Sequence, residues 1–386
     1  MITNLVKLKD VATITAGQSP SGKNFNDNGE GMPFYQGKKD YGDKFLKPPR
    51  VWTKSITKVA IQGDILLSVR APIGALNIAT QEICIGRGLT AIRGHEEINK
   101  DYLFYVLSQI SEGLRGNAGA IFNSLNKTQI ENIEFLLPSL AEQERIVVKL
   151  DAAFAEIDEA VNVAIAKETE FKKLKASLLS SSLTGDAVMW ETQKLSDVIE
   201  KGETINPTTN PDTKFSYIDV SSVDRKNFSI SKTQTLRGKD APSRARRLVK
   251  TGDVLFATVR PTLQRIARVP EELNGEVCST GYIVLRPKAS IICNKFIFYY
   301  MLSEKVNTQM ESLQTGASYP AVNDTQVKKL HISFPSLSEQ KIIVERLDAA
   351  YSEFKNANEA IVKSKANYLA LKSAILSKEL QPSEAA

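Results

Sequence analysis

Apolar side chains return every seventh position along two long stretches of the chain, one in its middle and one at its end. Such a step is typical of a helix that packs lengthwise against another helix. Neither stretch, residues 142–183 and 339–380, contains a glycine or a proline that would interrupt a helix. The pattern predicts two long helices, with a seam formed by Leu150, Ile157, Phe171 and Leu178 in the first and by Leu347, Phe354, Ile361, Tyr368 and Ile375 in the second.

The two predicted helices belong to a tandem repeat. Pro138–Phe154 and Pro335–Tyr351 share 11 of 17 residues at a constant offset of 197. Upstream the match is looser but keeps its order: Gly63-Asp64-Ile65-Leu66 corresponds to Gly252-Asp253-Val254-Leu255, Arg70 to Arg260, and Thr128-Gln129 to Thr325-Gln326. A period this long indicates a duplicated structural unit. Each copy therefore combines a well-matched helix with a diverged block that precedes it.

The diverged blocks have the pattern of mixed α and β structure. Short β-branched runs bounded by Gly or Pro predict strands at Asp64–Arg70, Asp253–Arg260 and Gly281–Arg286. Amphipathic spacing predicts short helices at Tyr102–Ser111 and Phe296–Asn307. Stretches rich in Gly, Asn and Lys predict loops at Gly17–Lys44 and Gly202–Asp212.

We therefore predict an α+β fold in which two globular mixed α/β domains are separated by two long helices. The predicted bounds are residues 1–141 and 186–338 for the domains, 142–185 for a central spacer helix and 339–386 for a C-terminal spacer helix. Because duplication supplies each helix with a matched mate, we expect an antiparallel intramolecular coiled coil with pseudo-twofold repetition. A parallel coiled coil between two copies of the chain is the alternative.

Composition excludes several classes of protein. The 386 residues are 42% hydrophobic and 24% charged, no apolar run approaches the roughly 20 residues of a membrane helix, and no secretion signal opens the sequence. We therefore expect a cytoplasmic protein with no membrane contact. Three scattered cysteines and two isolated histidines, Cys84, Cys278, Cys293, His95 and His331, lack ligand spacing, so no metal site is predicted.

Positive charge is concentrated in the two diverged blocks. Residues 1–140 carry 16 basic and 13 acidic side chains, and residues 186–336 carry 21 and 16. These cations are sufficient for a phosphate footprint on DNA, although a solvated face or a structural ion pair would account for any one of them. The candidate DNA-binding residues are Lys38, Lys39, Arg50, Lys54, Arg70 and Arg87 in the first block and Arg237, Lys239, Arg244, Arg246, Arg247, Arg260, Arg265 and Tyr319 in the second. Tyr319 belongs to a loop, residues 316–320, that aligns with residues 119–123; a simple turn is the alternative for both loops.

Motifs for covalent chemistry are incomplete. The stretch Gly17–Asn24 approaches a phosphate-binding loop, but Asn24 stands where Ser or Thr would reach magnesium, and turn residues follow where a helix should begin. The chain lacks the Asn/Asp-Pro-Pro-aromatic tetrapeptide of adenine methyltransferases, because its one Pro-Pro, Pro48-Pro49, lies between Lys47 and Arg50. We therefore predict no catalytic residue and no cofactor bound by this chain.

A Pro-x-Leu-x-Glu-Gln motif that enters a long helix, present twice and each time after a diverged block, resembles the DNA specificity subunit of Type I restriction–modification systems. The motif copies are Pro138–Gln143 and Pro335–Gln340. The resemblance implies that the blocks are target recognition domains and the helices a conserved spacer. It also implies two adenine-N6 methyltransferase subunits that use S-adenosylmethionine, and restriction subunits that use ATP and Mg²⁺ in the complete enzyme.

The sequence by itself favours a related interpretation. Two unlike basic blocks on rigid helices would recognise two unlike half-sites of double-stranded DNA, with the helix length setting the gap between them. The alternatives are a system whose partner polypeptide carries both nuclease and methylase, a coiled-coil protein adaptor, and an enzyme built around Gly17–Asn24.

Overall fold

A computed structural model of the chain describes residues 4–116, 124–184, 190–316 and 318–381. In the helix that ends at Gly116, side chains are described as far as residue 113. The chain divides into two compact units. The first comprises residues 1–164 and 363–386, and the second comprises residues 165–362. The loop at residues 119–123 lies outside the described residues.

The first half of the chain alternates short strands with helices. Its strands are β1 (Asn4–Lys7), β2 (Ala12–Ala16), β3 (Phe25–Asn26), β4 (Met32–Tyr35), β5 (Trp52–Thr53), β6 (Val59–Ala60), β7 (Ile65–Ser68), β8 (Leu76–Ile78), β9 (Ile83–Ile85), β10 (Leu89–Gly94) and β11 (Glu134–Leu137). Its helices are α1 (Leu8–Val11), α2 (Lys100–Gly116), α3 (Lys127–Glu131) and the 44-residue α4 (Leu140–Leu183).

The second half repeats this order. Its strands are β12 (Glu191–Lys194), β13 (Lys214–Ile218), β14 (Val223–Asp224), β15 (Ser229–Ile230), β16 (Gln234–Arg237), β17 (Ala245–Leu248), β18 (Val254–Ala257), β19 (Ile266–Arg268), β20 (Val277–Ser279), β21 (Tyr282–Leu285) and β22 (His331–Phe334). Its helices are α5 (Leu195–Val198), α6 (Asn294–Leu302), α7 (Glu304–Leu313), α8 (Asp324–Lys328) and the 43-residue α9 (Leu337–Glu379).

Sheet topology shows the same scaffold in both units. The first unit has the orders β3-β5-β4-β9-β6 and β2-β10-β7-β8, and the second has β16-β13-β20-β17 and β19-β18-β21. In each first-named sheet a parallel pair, β4 with β9 or β13 with β20, sits beside antiparallel neighbours. The strand before the domain and the strand before the long helix pair as β1-β11 and as β12-β22. In each unit the chain passes directly from the first-named sheet to the second, from β9 to β10 in the first unit and from β20 to β21 in the second. Each unit therefore contains the same sharp turn between its two sheets.

The long helices pair antiparallel within each unit. In the first unit, Lys149 Nζ lies 2.7 Å from a carboxylate oxygen of Glu379, and Lys372 Nζ lies 2.7 Å from a carboxylate oxygen of Asp158. The later residue of α4 thus contacts the earlier residue of α9, so the two helices run in opposite directions. In the second unit, the rings of Phe171 and Phe354 meet edge to face at 6.1 Å. These contacts, with the two mixed α/β sheet systems, confirm the predicted α+β fold.

Seam residues differ in burial. Leu150, Ile157, Leu347 and Ile361 are buried, whereas Phe171, Leu178, Phe354, Tyr368 and Ile375 are partly exposed. Ala164 continues the seven-residue step between Ile157 and Phe171 and is buried as well. A small residue at this position allows close helix approach while keeping the seam apolar.

Several predicted elements need correction. The predicted loop Gly17–Lys44 contains strands β3 and β4, and the predicted helix Phe296–Asn307 is two helices, α6 and α7, which break at Ser303. The Ser303 side chain caps α7 by accepting a hydrogen bond from the backbone N–H of Val306, a satisfied N-terminus that favours a new helix over continuation.

Candidate nucleic-acid interface

The glutamine of the repeated motif anchors α4 to the first domain. Gln143 is fully buried. Its Oε1 accepts a hydrogen bond of 2.7 Å from the backbone N–H of Asn99, and its Nε2 donates to the backbone carbonyls of Glu97 at 3.1 Å and Pro138 at 2.9 Å. All three partners are backbone groups, so the amide is satisfied whatever side chains the domain carries.

Gln340 makes the same three contacts in the second unit. It accepts from the Cys293 N–H at 2.9 Å and donates to the carbonyls of Ile291 at 3.0 Å and Pro335 at 2.9 Å. It is also fully buried. The motif is thus a structural joint between domain and helix, and we call these contacts the glutamine clamp.

A tyrosine–aspartate bond supports each clamp. The hydroxyl of Tyr105 donates to Asp151, and the hydroxyl of Tyr299 donates to Asp348 at 2.7 Å. Burial of the two phenols, reinforced by the neighbouring carboxylates, raises both tyrosine pKa values above the ordinary range. Both tyrosines therefore stay protonated donors at neutral pH.

The Thr-Gln pairs that match between the copies are helix starts. Asn126 caps α3 by accepting a hydrogen bond from the Gln129 N–H, while the Gln129 side chain returns to the Asn126 N–H. Asn323 and Gln326 repeat the arrangement at α8. The capping box explains the repeated glutamines without any functional site.

Each unit also contains an aspartate–arginine pair that sequence reasoning did not identify. Asp64 binds Arg93 through two bonds of 2.7 and 2.8 Å, and Asp253 binds Arg286 through two of 2.9 and 2.8 Å. The carboxylates are buried in both copies. The charged bonds raise the pKa of both arginines above the ordinary value, and these cations belong to the fold.

Strand register places most first-block candidates at one end of the sheets. Arg87 lies in the β9–β10 turn, and the backbone N–H of Val69, next to Arg70, donates to the Gly88 carbonyl of this turn at 2.9 Å. The parallel pairing of β4 with β9 brings the residues after Tyr35 to the same end, so Lys38 and Lys39 lie beside the turn. The four cationic side chains are exposed.

Arg50 and Lys54 lie at opposite ends of β5. The backbone N–H of Phe34 donates to the Val51 carbonyl, so Arg50 lies on the turn side, where it pairs with Asp40 at 3.7 Å. Lys54 lies at the other end and pairs with Glu30, whose pKa this contact lowers. The structure therefore does not bring Lys54 together with the other candidates.

Lys58 is a cation on the turn side that the sequence reasoning missed. It is exposed, and its carbonyl accepts a hydrogen bond of 2.8 Å from the Ile85 N–H, at the end of β9. Strand β6, which follows it, has only two residues, so no periodic signal in the sequence could have placed it.

The β20–β21 turn gathers second-block candidates in the same way. The Thr280 N–H donates to the carbonyl of Arg244 at 2.8 Å, and the Thr258 N–H, two residues before Arg260, donates to the Gly281 carbonyl at 2.9 Å. The carbonyl of Arg265 bonds the Ala257 N–H at the end of β18. Arg244, Arg260 and Arg265 therefore lie on the turn side of this unit.

The remaining second-block cations are placed elsewhere. In the antiparallel pairing of β13 with β16, Arg237 lies opposite Lys214, at the end of β13 that is far from the β20–β21 turn. Lys239 follows Arg237 in a 3-10 turn, so both cations lie away from the β20–β21 turn. Arg246 is half-buried and donates to the carbonyl of Ala245.

Arg247 does not join the candidate surface. Its guanidinium binds Asp324 with two bonds of 2.7 and 3.1 Å at the start of α8, and it is only partly exposed. A bidentate pair uses two N–H donors of the guanidinium, so Arg247 has a structural role, and its contact with DNA stays a prediction.

Tyr319 is the most exposed large apolar or aromatic side chain among those described, at 73%. The Arg260 guanidinium carbon lies 5.0 Å from its ring centroid, a cation–π contact. The arginine also donates to the Ser318 carbonyl at 3.3 Å. Arg260 and Tyr319 thus form one preassembled exposed pair.

The stretch Gly17–Asn24 is built differently from a phosphate-binding loop. Gly22–Asn24 is a 3-10 turn that continues into β3 rather than a helix. Gly17 is needed because a Cβ there would come within 2.2 Å of the Gly86 carbonyl oxygen. The backbone packs across the β9–β10 turn at this point, a structural reason for the glycine.

Within the described ranges, no cluster of three or more His, Cys, Asp or Glu side chains is arranged to hold a metal ion. In the same residues no helix is both long and apolar enough to cross a membrane.

Comparison with known proteins gives one family. A family model described as the type I restriction modification DNA specificity domain matches residues 3–167 and again residues 187–364. The putative type I restriction enzyme MjaX specificity subunit of Methanocaldococcus jannaschii is 37% identical over 174 residues, which is 45% of this chain and 40% of that protein. The EcoBI specificity subunit of Escherichia coli is 18% identical over 382 residues, covering 90% of this chain and 79% of that protein.

A solved structure gives the same result for the fold. A chain from a study of complex assembly and conformational transition of the type I R-M system matches 98% of this chain and 97% of its own length, with a TM-score of 0.77 and 17% identity. The chain spans two fifths of the Methanocaldococcus jannaschii relative, so the family assignment depends on the two domain matches, which together cover most of the sequence. This chain belongs to the family of type I restriction–modification DNA specificity proteins.

Proposed function

We propose that this chain is the non-catalytic DNA-binding subunit of a type I restriction–modification enzyme and that it recognises a bipartite, asymmetric target. Each unit contacts one half-site through the turn side of its sheets. The observation that carries the proposal is that exposed cations converge at equivalent turns, with Arg87 in the first turn and Arg244 and Arg260 beside the second. Because the scaffold repeats and the side chains on it differ, the two half-sites should differ as well.

The proposed partners follow from the repeated joint. The buried clamps of Gln143 and Gln340 attach a long helix to each domain in the same way, so the exposed side of each joint should be repeated as well. Two copies of one surface suit two copies of one partner. The proposed partners are two adenine-N6 methyltransferase subunits that bind S-adenosylmethionine, and through them restriction subunits that use ATP and Mg²⁺.

The test uses the full chain copurified with its host methyltransferase. We expect a salt-dependent gel shift that is stronger for one DNA sequence than for random DNA, together with a two-to-one complex by native mass measurement. Arg87→Ala should weaken binding and lower the salt slope by about 0.9 per lost phosphate contact. Lys54→Ala is the matched control, because Lys54 is also exposed and cationic but lies away from the turn.

Equal weakening by the two substitutions would refute the turn side as the contact surface. A complex with no sequence preference in wild-type form would favour a protein adaptor instead. One partner per chain would contradict the proposed assembly.

A further inference from the structure

Among the candidate cations in the described part of the chain, Arg260 is the one whose charged group lies over an aromatic ring, that of Tyr319. The guanidinium carbon lies over the ring, 5.0 Å from its centroid, and the guanidinium donates to the Ser318 carbonyl at 3.3 Å. Within the described part of the chain no carboxylate lies within ion-pair distance of Arg260, in contrast to Arg247 with Asp324. Its remaining N–H groups are therefore free to bind an acceptor.

The backbone beneath the pair is held in an uncommon conformation. Arg260 has φ 49° and ψ 57°, the left-handed region that a non-glycine residue seldom adopts. Its N–H donates to the Pro320 carbonyl at 2.7 Å. Thr315 and Ala321 exchange two hydrogen bonds of 3.0 and 2.9 Å, closing the loop that presents Tyr319. Such strain persists only where surrounding contacts impose it, and it concentrates at ligand-binding positions.

The chemistry of the pair favours a planar ligand over a simple anion. A phosphate contact requires only a positive charge, which a mobile side chain supplies. A guanidinium is planar, and its N–H donors match the O6 and N7 acceptors of guanine in the major groove. The contact with the Tyr319 ring and the bond to the Ser318 carbonyl restrict the orientation of that plane. Fixing the side chain in advance also removes the entropy cost of ordering it on binding.

We propose that Arg260 reads a guanine in the half-site bound by the second unit and that Tyr319 is a positioning residue that orients the guanidinium. The inference rests on the proposed function and adds a specificity-determining residue to it. Arg260 distinguishes one G·C pair from the other base pairs, and Tyr319 acts only through Arg260.

The experiment replaces each base pair of the methylated target in turn and measures binding by the full chain with its methyltransferase partner. Arg260→Lys keeps the charge but loses the planar fork. We expect the preference for one G·C pair to fall by about 5- to 150-fold while preferences elsewhere stay unchanged. Tyr319→Ala should lower the preference at the same base pair, and Tyr319→Phe, which keeps the ring, should not.

Arg237→Lys is the matched control, since Arg237 is exposed on the same unit but lies at the far end of β13. It should change no base preference. Unchanged preferences at the other base pairs of the second half-site show in every variant that the second unit is folded.

Two results would overturn the inference and leave the proposed function standing. One is a uniform loss of affinity across all substituted targets in Arg260→Lys, which identifies a phosphate contact. The other is an effect of Tyr319→Ala at a base pair that Arg260→Lys does not affect. A wild-type complex without any sequence preference would overturn the proposed function and the inference together.

Discussion

The aspartate–arginine pairs of the two units allow one stability prediction to be worked out from matched sites. Asp253 and Asp64 occupy the same repeat position, are both buried, and each accepts a backbone N–H bond, of 2.8 Å from Lys250 and 2.9 Å from Ile61. Their arginine partners differ, because the side chain of Arg286 is 10% exposed and that of Arg93 is 46% exposed. Substitution by Asn should therefore have unequal effects.

Removing one partner of a buried pair costs about 3–5 kcal/mol because the other charge is left in a poorly hydrated site. Arg286 keeps a bond of 2.6 Å to Glu203, so we take the lower end, about 3 kcal/mol, for Asp253→Asn. Arg93 can turn to water, and a pair of this kind contributes about 1 kcal/mol, which we expect for Asp64→Asn. The predicted difference of about 2 kcal/mol corresponds to about 30-fold in an opening equilibrium.

Amide hydrogen exchange measures this difference in each unit separately. Asp253→Asn should speed exchange in β18 and β21 and leave β7 and β10 unchanged, whereas Asp64→Asn should speed exchange in β7 and β10 by the smaller factor. Equal acceleration in the two variants would show that the exposure of the arginine does not set the cost, and the reasoning would be refuted.

Three further predictions follow from the joint, the charges and the helices. Gln340→Leu should loosen the start of α9 by about 3 kcal/mol or more, because it leaves three backbone groups without a partner. Faster limited proteolysis at this point than in wild type checks the prediction, and an unchanged rate would contradict it. The pKa of Glu203 is lowered from 4.5 by its bonds to Lys250 and then to Arg286, so its contribution to stability is present above pH 4.5 and is lost as the pH falls through the lower folded-state value. The melting temperatures of wild type and Glu203→Gln should therefore converge on acidification, and a gap that stays constant would exclude the pair as its cause. Inserting seven residues into each of α4 and α9 keeps the apolar seam in register. Under the proposed function, the insertion should lengthen the gap between the half-sites in a methylation map without changing either half-site. An unchanged gap would contradict a role of the helices in spacing.

Much of the architecture could be predicted from the sequence because its signals are local and repeated. The seven-residue step and the motif prolines place the starts and ends of the long helices within a few residues, at Leu140–Leu183 and Leu337–Glu379. The antiparallel pairing also followed, since duplication provides each helix with a mate. The short strands β3, β5 and β6 could not be predicted, because two residues carry no periodicity and their pairing partners are distant in sequence.

The candidate surface was predicted by residue type but not by position. Nothing local distinguishes Lys54 from Lys58, which are four residues apart, yet strand register places one away from the β9–β10 turn and the other beside it. Likewise Arg247 belongs to the densest cationic cluster of the sequence, and only the tertiary structure shows that Asp324 occupies its guanidinium. Contacts between residues that are distant in the sequence decide these cases, and Arg247 and Asp324 are 77 positions apart.

The glutamine clamp explains how the copies can diverge in one part and remain alike in another. Gln143 and Gln340 bond only to backbone N–H and carbonyl groups of the domains they hold, so they place no demand on the identity of those residues. The Asx caps of α3 and α8 are equally local. A domain can therefore change the side chains on its turn, such as Arg87 in one copy and Thr280 with Arg244 in the other, at no cost to the joint. A protein whose DNA preference changes while its helices keep the same partner requires a joint that does not depend on the domain's side chains. A joint built on backbone groups meets this requirement, and it therefore links the repeated motif to the proposed recognition of unlike half-sites.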